Sequence, residues 1–373
     1  MYLRNEITAS IRLDYLRHNI QVISDKIAPA KVIGVVKANG YGHGSVHVSR
    51  IMAEEGVAML AVAVVDEAIE LREAGITLPI LILDKVWKNQ LNALFKYNLQ
   101  PPISSQDDLQ MLSKAAEERE QVLPVQFKID TGMGRLGFYY ENFTSALEQV
   151  KDHRWLEIAG VMSHLATADE LNSRLVELQR SRFHYIVESV RQVTGESTPY
   201  FHLSNSAGAL FYEDMIYDYV RLGLSLYGVS PVPETEFSQS LKPVLEFRTT
   251  VAYVKNFPEN YPIGYGSAYR TKKDSKIAVC AGGYEDGIPR RYGNTGEVLI
   301  HGKKFPIVGN VSMDTFMIDV GGESVTVGDR VVILGQQGDA EITVWEMAQK
   351  LGLIPYEVLC GISPRVLRNY FNE

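Results

Sequence analysis

The amino-acid sequence predicts an α/β protein: a (β/α)8 barrel as the N-terminal domain, followed by a mostly-β C-terminal domain. Apolar strand-like runs alternate with helical patterns through about 200 residues, and eight such units fit a parallel barrel. Beyond Pro231-Val232-Pro233 the alternation stops, and β-branched runs follow, separated by Gly and Asn turns. We therefore expect residues 1–235 to form the barrel and residues 236–373 to form the second domain.

The barrel elements follow a regular order along the chain. Residues 8–13 read as a strand that precedes the barrel and is a candidate to join it, and Asp14 reads as the N-cap of a helix ending near Lys26. The eight strand-like runs begin near Val32, Met59, Leu78, Gln100, Val125, Leu156, Tyr200 and Asp218. Helical patterns cover residues 66–73, 105–118, 140–150 and 172–193. A doubly wound open sheet shows the same alternation, but the count of eight favours the barrel.

The second domain is predicted from short β-branched runs. These runs cover residues 245–256, 277–281, 297–300, 315–320 and 330–334. One helix interrupts them, and it begins at the capping box Thr343-Val344-Trp345-Glu346.

Composition restricts the class of protein. The chain has 373 residues and a net charge of −8, from 37 basic and 45 acidic residues, which argues against nucleic acid or an anionic membrane as the main partner. No apolar run approaches the ~18 residues that a membrane span requires, and the N-terminus has no signal-peptide pattern. Two cysteines, Cys280 and Cys360, cannot form a disulfide framework, so we expect a reducing cytoplasm.

The first barrel strand ends at a lysine that three glycines follow. Residues 32–36 form a β-branched run typical of a strand buried on both faces, Lys37 ends it, and glycines occupy positions 40, 42 and 44. A lysine in this position can act as a nucleophile, a base or a Schiff-base partner. The glycines allow a tight turn and close approach to a ligand. The ordinary alternative is a lysine that extends to solvent before a surface loop.

Polar clusters follow four more predicted strands. They occupy residues 128–137, 163–169, 202–208 and 221–228. Singly, each has a structural explanation, since a histidine after a strand is often a satisfied structural residue and Asn-Ser before a helix is usually a cap. Barrel enzymes build their active sites at the carboxyl ends of the strands. Five clusters at one rim, counting that of Lys37, therefore predict an active site.

The amino-acid sequences of these segments resemble those of one protein family. Lys37-Ala38-Asn39-Gly40-Tyr41-Gly42-His43-Gly44 resembles the pyridoxal-phosphate attachment site of the alanine racemases, and the other clusters resemble that family in wording and order. The resemblance implies pyridoxal 5'-phosphate as the cofactor, held by Lys37 as an aldimine. It implies that Arg135 bonds the cofactor's phenolic oxygen and approaches the substrate carboxylate, while His164 lies beside the ring. The remaining implied cofactor contacts are Tyr41, Asn205, Ser206, Arg221, Gly223, Leu224 and Tyr356.

Arg221 favours a racemase over the alternative functions. The resemblance places Arg221 at the pyridine nitrogen, and an arginine keeps its proton, so it cannot protonate the ring. A neutral ring is a weak electron sink, which suits quick reprotonation and racemisation. Barrel-type amino-acid decarboxylases, the first rival, place a carboxylate there. The second rival, a non-catalytic cofactor carrier, consists of the barrel alone.

The second domain resembles the same family. The matching segments cover residues 264–267, 282–287, 309–314 and 356–360. They imply Tyr265 as a catalytic base, and Tyr284 and Met313 as substrate contacts, reaching the active site of the other subunit of a homodimer. The expected reaction is interconversion of L-alanine and D-alanine by two-base proton transfer, with Lys37 serving the D enantiomer and Tyr265 the L, to supply D-alanine for peptidoglycan.

Two positions leave details open. Many relatives have arginine where this chain has Asn310, near the corridor to the substrate, so a serine or broad-specificity racemase remains the alternative to one for alanine. Lys128 is a candidate for carbamylation, because the matching lysine in relatives can carry a carbamate. A carbamate could hold Arg135 by a bidentate pair. The alternative is an unmodified Lys128 beside Asp130.

Overall fold

A computed structural model of the chain describes residues 6–195, 199–272 and 274–372. The described chain divides into two compact units. Residues 16–40 and 45–242 form one, which we name the barrel unit, and residues 6–15, 41–44 and 243–372 form the other, the β unit. The predicted domain boundary after residue 235 remains a prediction.

Eight parallel strands form the barrel unit, as the sequence predicts. From the first strand to the sixth, each strand pairs with the one that follows it along the chain. The first strand also pairs with the eighth. The fourth is interrupted at Pro101, because proline lacks the N–H that a ladder needs. The Arg221 N–H donates to the Ser204 carbonyl at 2.9 Å where the seventh and eighth strands meet. The strands are Lys31–Val35, Met59–Val62, Ile80–Ile82, Leu99–Gln100 with Pro102–Ile103, Leu123–Asp130, Leu156–Met162, Tyr200–His202 and Tyr219–Leu222.

Helices alternate with these strands. They are Leu13–Ile27, Ser45–Glu54, Val65–Glu73, Leu91–Lys96, Gln106–Glu117, Thr144–Lys151, Arg174–Thr194 and Ser206–Phe211. Lys37–Tyr41 forms a left-handed turn before Ser45–Glu54. The assignment of Asp14 as an N-cap is wrong: the helix begins at Leu13, and the Asp14 carboxylate accepts two hydrogen bonds from Arg12, at 2.9 and 2.7 Å. Within the described ranges, no helix combines the length and the apolar character that crossing a membrane requires.

A nine-stranded sheet dominates the β unit. Its order is Ala340–Ile342, Arg330–Gln337, Glu297–Ile300, Lys303–Val308, Thr315–Gly321, Ser275–Ala281, Leu245–Phe257, Thr8–Arg12 and Leu367–Phe371. The five predicted strands are all present, and the ribbon Pro262–Ile263 with Tyr269–Arg270 was not predicted. The helix Val344–Leu351 begins as predicted, with the Thr343 hydroxyl accepting the Glu346 N–H at 3.0 Å, and Pro355–Cys360 forms a second helix.

The N-terminal strand does not join the barrel. Thr8–Arg12 pairs antiparallel with Leu245–Phe257 and parallel with Leu367–Phe371, so it belongs to the sheet of the β unit. The pairing of the first and eighth barrel strands leaves no free edge there. In the β unit the strand lies between two partners, so both of its sides are hydrogen-bonded.

Candidate active site

Lys37 lies at the carboxyl end of the first barrel strand, where the backbone enters a left-handed turn. Ala38, Asn39, Gly40 and Tyr41 have φ angles of 53°, 54°, 60° and 52°. A residue other than glycine pays roughly 1–2 kcal/mol in this region, and asparagine pays least. The Gly40 N–H donates to the Val36 carbonyl at 2.8 Å. This strained turn immediately after a lysine is the kind of conformation found at functional sites.

The residues that follow the turn pack within the β unit. A Cβ on Gly42 would stand 2.5 Å from the Leu359 carbonyl oxygen, and one on Gly44 would stand 1.8 Å from the Tyr370 hydroxyl. Both positions therefore require glycine. The rings of Tyr41 and Tyr356 lie 5.7 Å apart between centroids, so the structure brings together the two tyrosines predicted to bind phosphate.

Arg221 is buried at the end of the eighth strand and makes five hydrogen bonds. Its Nη2 donates to the carbonyls of Ser163 at 2.6 Å and Leu203 at 2.9 Å, and Nη1 donates to the carbonyl of His202 at 2.8 Å. The Nδ1 atoms of His202 and His164 accept at 3.0 and 3.1 Å. The guanidinium therefore joins the ends of the sixth, seventh and eighth strands.

The same arginine determines the protonation of both histidines. A guanidinium only donates, so each Nδ1 must be unprotonated and each imidazole proton lies on Nε2. Burial, followed by the charge of Arg221, holds the pKa of His164 and of His202 well below the usual range. Burial lowers the pKa of Arg221 to about 10, which leaves it charged at neutral pH. The site thus contains a neutral His164 beside a permanent cation.

The buried side-chain amide of Gln126 bonds the second ring nitrogen of His202. The His202 Nε2–H donates to Gln126 Oε1 at 3.1 Å, and the Gln126 amide donates to Gln100 Oε1 at 2.6 Å and to the Tyr200 hydroxyl. Neither His202 nor Gln126 was among the predicted site residues. His202 does stand at a strand end, which is a usable signal, whereas nothing in the sequence singles out Gln126.

Lys128 lies near the positive residues of the site. Its ammonium donates to the Leu83 carbonyl at 3.1 Å. Burial, followed by the charges of Arg221 and Arg135, lowers the pKa of Lys128 to about 8. About a tenth of this amine is therefore neutral at pH 7.

The Asp130 carboxylate accepts the backbone N–H groups of Gly132, Met133 and Gly134 at 2.8, 2.9 and 2.8 Å, and so it orders the loop that carries Arg135. The choice between a carbamylated and an unmodified Lys128 stays a prediction. The Arg135 side chain is exposed, and it has no hydrogen-bond or ion-pair partner among the described residues. Its guanidinium remains available for an external anion.

A group of hydroxyls and amides occupies the end of the barrel beside Arg221. The Ser206 hydroxyl accepts the Gly223 N–H at 3.1 Å and the Ser225 hydroxyl at 3.0 Å. The Leu224 N–H has no acceptor among the described residues. Asn205 caps the following helix, since its Oδ1 accepts the Gly208 N–H at 3.0 Å. Converging N–H and O–H donors of this kind suit a phosphate group.

The predicted residues of the β unit lie on its surface. Tyr265 is 72% exposed, Met313 50% and Tyr284 42%. Tyr265 stands between Gly264 and Gly266, which have φ angles of 71° and 70°. The Asn310 side-chain amide donates to the Tyr265 carbonyl at 2.9 Å, so Asn310 holds this turn.

Two of the segments lie side by side. The Tyr284 N–H donates to the Ser312 carbonyl at 3.0 Å, which places Tyr284 next to the Met313 segment. A Cβ on Gly283 would stand 2.2 Å from the Ser312 carbonyl oxygen, so this approach requires glycine.

Comparison with known proteins identifies relatives over nearly the whole chain. Residues 11–231 match the family model described as alanine racemase, N-terminal domain, and residues 244–370 match alanine racemase, C-terminal domain. An alanine racemase of Halothermothrix orenii is 38% identical over 367 residues, 98% of this chain and 97% of that protein. The crystal structure of alanine racemase from E. faecalis has a TM-score of 0.93 and 35% identity over 98% of each chain. That from Bacillus anthracis with bound L-Ala-P has a TM-score of 0.92 and 33% identity, over 100% of this chain and 96% of that chain.

Proposed function

The chain belongs to the alanine racemase family, and from this premise we propose that it interconverts L-alanine and D-alanine with pyridoxal 5'-phosphate as its cofactor. The observation that carries the proposal is a permanently charged Arg221 bonded to a neutral His164, at the same barrel rim as Lys37. The product D-alanine serves peptidoglycan synthesis, and the enzyme acts in the cytoplasm.

The residues of the site fit this cofactor. The Arg221 Nε–H has no acceptor among the described residues and suits a pyridine nitrogen, while its two Nη atoms are occupied. Ser206 and the amides of Gly223 and Leu224 would hold the phosphate, with Asn205, Tyr41 and Tyr356 as further contacts. Arg135 would bond the phenolic oxygen, and the Lys37 amine would hold the aldehyde carbon covalently.

The chemistry assigned to the chain is proton transfer. When bound, the cofactor withdraws electrons from the substrate α-carbon and so makes its proton acidic. Racemisation then requires a base on each face of that carbon. The Lys37 amine removes or returns the proton on the face that serves the D enantiomer, and the Tyr265 hydroxyl does so on the other. Arg135 and the Met313 backbone bind the substrate, with Tyr284 nearby.

Lys128 is proposed to carry a carbamate. Carbon dioxide reacts with a neutral amine, and a pKa of about 8 supplies one at neutral pH. The modification would replace a cation beside Arg135 and Arg221 by an anion, which pairs with the exposed guanidinium of Arg135 and fixes it for the substrate carboxylate.

The substrate test compares three amino acids with the purified, cofactor-loaded enzyme. L-Alanine should be racemised, and kcat/KM for serine should be about 10–200-fold lower, because a hydrophobic pocket discriminates by only ~1–3 kcal/mol per small group. Lysine should be slower still, since Tyr265, Tyr284 and Tyr356 narrow the corridor. Chiral chromatography of the products measures all three rates. Lysine turned over as fast as alanine would contradict the narrow pocket, and equal rates for serine would indicate a broad-specificity racemase.

We also propose a homodimer with two shared sites, in which the β unit of one subunit supplies Tyr265 and Met313 to the barrel of the other. Both side chains are exposed on the β unit, so they are accessible to a second subunit.

Subunit mixing tests the shared sites. Lys37→Ala and Tyr265→Ala subunits, each inactive alone and differently tagged, should recover about a quarter of wild-type activity when mixed: half of the dimers are mixed, and each has one intact site. The control is a mixture of two differently tagged Tyr265→Ala subunits, which should stay inactive. Tag capture measures the mixed dimers, and mixed dimers without activity would show that each site uses Lys37 and Tyr265 of one chain.

A further inference from the structure

The left-handed turn after Lys37 is held by a carboxylate from the neighbouring helix. Glu67 lies in the first turn of Val65–Glu73, and its Oε1 accepts the Ala38 N–H at 2.6 Å. Its Oε2 accepts the Ala63 N–H at 2.8 Å, with the Val64 N–H at 3.4 Å. One carboxylate therefore bridges the ends of the first and second barrel strands, at the rim that carries Lys37.

This arrangement differs from an ordinary helix cap. A glutamate at the third helical position usually bonds the N–H of the N-cap residue. Here the N-cap is Val64, and its N–H has the longest of the three bonds, while the shortest leads to Ala38, 29 residues earlier. A bond to an ionised acceptor is shorter and stronger than one between neutral groups. The strongest contact of this carboxylate thus lies outside its own helix.

Ala38 and Tyr41 adopt the left-handed conformation although neither is glycine or asparagine, and the Ala38 N–H is bonded by a side chain from outside the turn. Asparagine and glycine adopt the left-handed conformation readily, which covers Asn39 and Gly40. The Asn39 side chain also accepts the Ser45 N–H at 3.0 Å. Alanine has no side chain that could bond its own backbone, so the Ala38 N–H depends on Glu67.

We propose that Glu67 is a positioning residue for Lys37. The Ala38 N–H belongs to the planar peptide that joins it to Lys37, so fixing this N–H fixes the ψ angle of Lys37 and the direction in which its side chain leaves the backbone. The inference rests on the proposed function in one respect, namely that Lys37 is the reacting amine. It assigns to Glu67 no contact with substrate or cofactor.

The test compares Glu67→Ala with Asp66→Ala in the full-length, cofactor-loaded enzyme. Asp66 is exposed in the same helical turn and carries the same charge, but makes none of these bonds, so it controls for charge and helix stability. In Glu67→Ala, hydrogen exchange at the Ala38 amide should accelerate about 10-fold or more, since exchange reports local opening. Its kcat for alanine should fall about 10–100-fold with KM within threefold, because a misplaced reacting group lowers the rate. Asp66→Ala should change each quantity less than about twofold.

A conservative variant separates positioning from general stability. Glu67→Gln keeps one oxygen acceptor, which can bond Ala38 or Ala63 but not both, so its exchange rate and kcat should lie between those of wild type and Glu67→Ala. If Glu67→Ala does not fold, Glu67→Gln decides the test by the same two measurements. Glu67 variants that match Asp66→Ala in exchange at Ala38 and in kcat would overturn the proposal. A wild-type enzyme that does not racemise alanine would instead reject the proposed function, while exchange at Ala38 would still decide whether Glu67 holds the turn.

Discussion

Tyr265→Phe should lower kcat for racemisation by about 10²–10⁴-fold in both directions, the range that a general base contributes. The substitution removes only the hydroxyl, and the side chain is 72% exposed, so the fold should be unaffected. Loss of the hydroxyl leaves one face of the α-carbon without a base, while Lys37 still serves the other. Proton exchange on the face of the α-carbon that Lys37 serves should therefore remain.

Exchange in deuterated water measures the two halves separately. Tyr265→Phe should exchange the α-proton of D-alanine faster than that of L-alanine, as followed by proton NMR. Tyr261→Phe is the matched control: Tyr261 immediately precedes the strand Pro262–Ile263, is 42% exposed and stacks its ring on Phe257. This variant should retain wild-type rates for both enantiomers. Equal loss of both exchange rates in Tyr265→Phe, with cofactor still bound, would reject Tyr265 as the base for the L enantiomer.

Arg221→Lys should reduce both stability and activity, although it preserves the charge. An ammonium has at most three donors, so at least two of the five acceptors of Arg221 lose their partner. Each buried unsatisfied group costs about 1–3 kcal/mol, so the free energy of unfolding should fall by about 2–6 kcal/mol. We expect kcat to fall by about 10²-fold or more, because His164 and the pyridine site lose a fixed donor.

Arg72→Lys is the control for this prediction. The Arg72 guanidinium bonds four backbone carbonyls in the same unit, those of Tyr97, Ile76, Leu78 and Asn98, and none of them belongs to the site. Urea unfolding should show a loss of stability for Arg72→Lys that is smaller than for Arg221→Lys, because at least one of four acceptors, and not at least two of five, loses its donor. Steady-state kinetics should show little change in kcat. Equal losses of kcat in the two variants would mean that Arg221 acts through stability alone.

The elements of the barrel were predictable because their signals are local. Strand starts near Met59, Leu156 and Tyr200 agree with the structure, since a buried parallel strand reads as a continuous apolar run between turn residues. The strand Thr8–Arg12 was placed wrongly as a candidate for the barrel. Its apolar pattern predicts a strand but contains no information about its partner, which is set by pairing with residues more than 200 positions away.

In the candidate site, too, the sequence predicts which residue types are present but not which residues they contact. The sequence by itself determined which groups stand at the strand ends, Lys37, His164 and Arg221 among them, because position at a strand end follows from local periodicity. It also determined the family, through the order of these segments. No local signal reveals which nitrogen and oxygen atoms of these side chains already take part in hydrogen bonds.

Only the tertiary structure decided how these groups are used. The Asp130 carboxylate accepts three backbone N–H groups, and Arg221 sets the protonation of His164. Glu67 reads from the sequence as an ordinary residue of a helical first turn, yet it bonds the peptide next to Lys37. The physical reason is that hydrogen bonds and pKa shifts depend on distances of a few ångströms between elements far apart in the chain, and packing alone sets those distances.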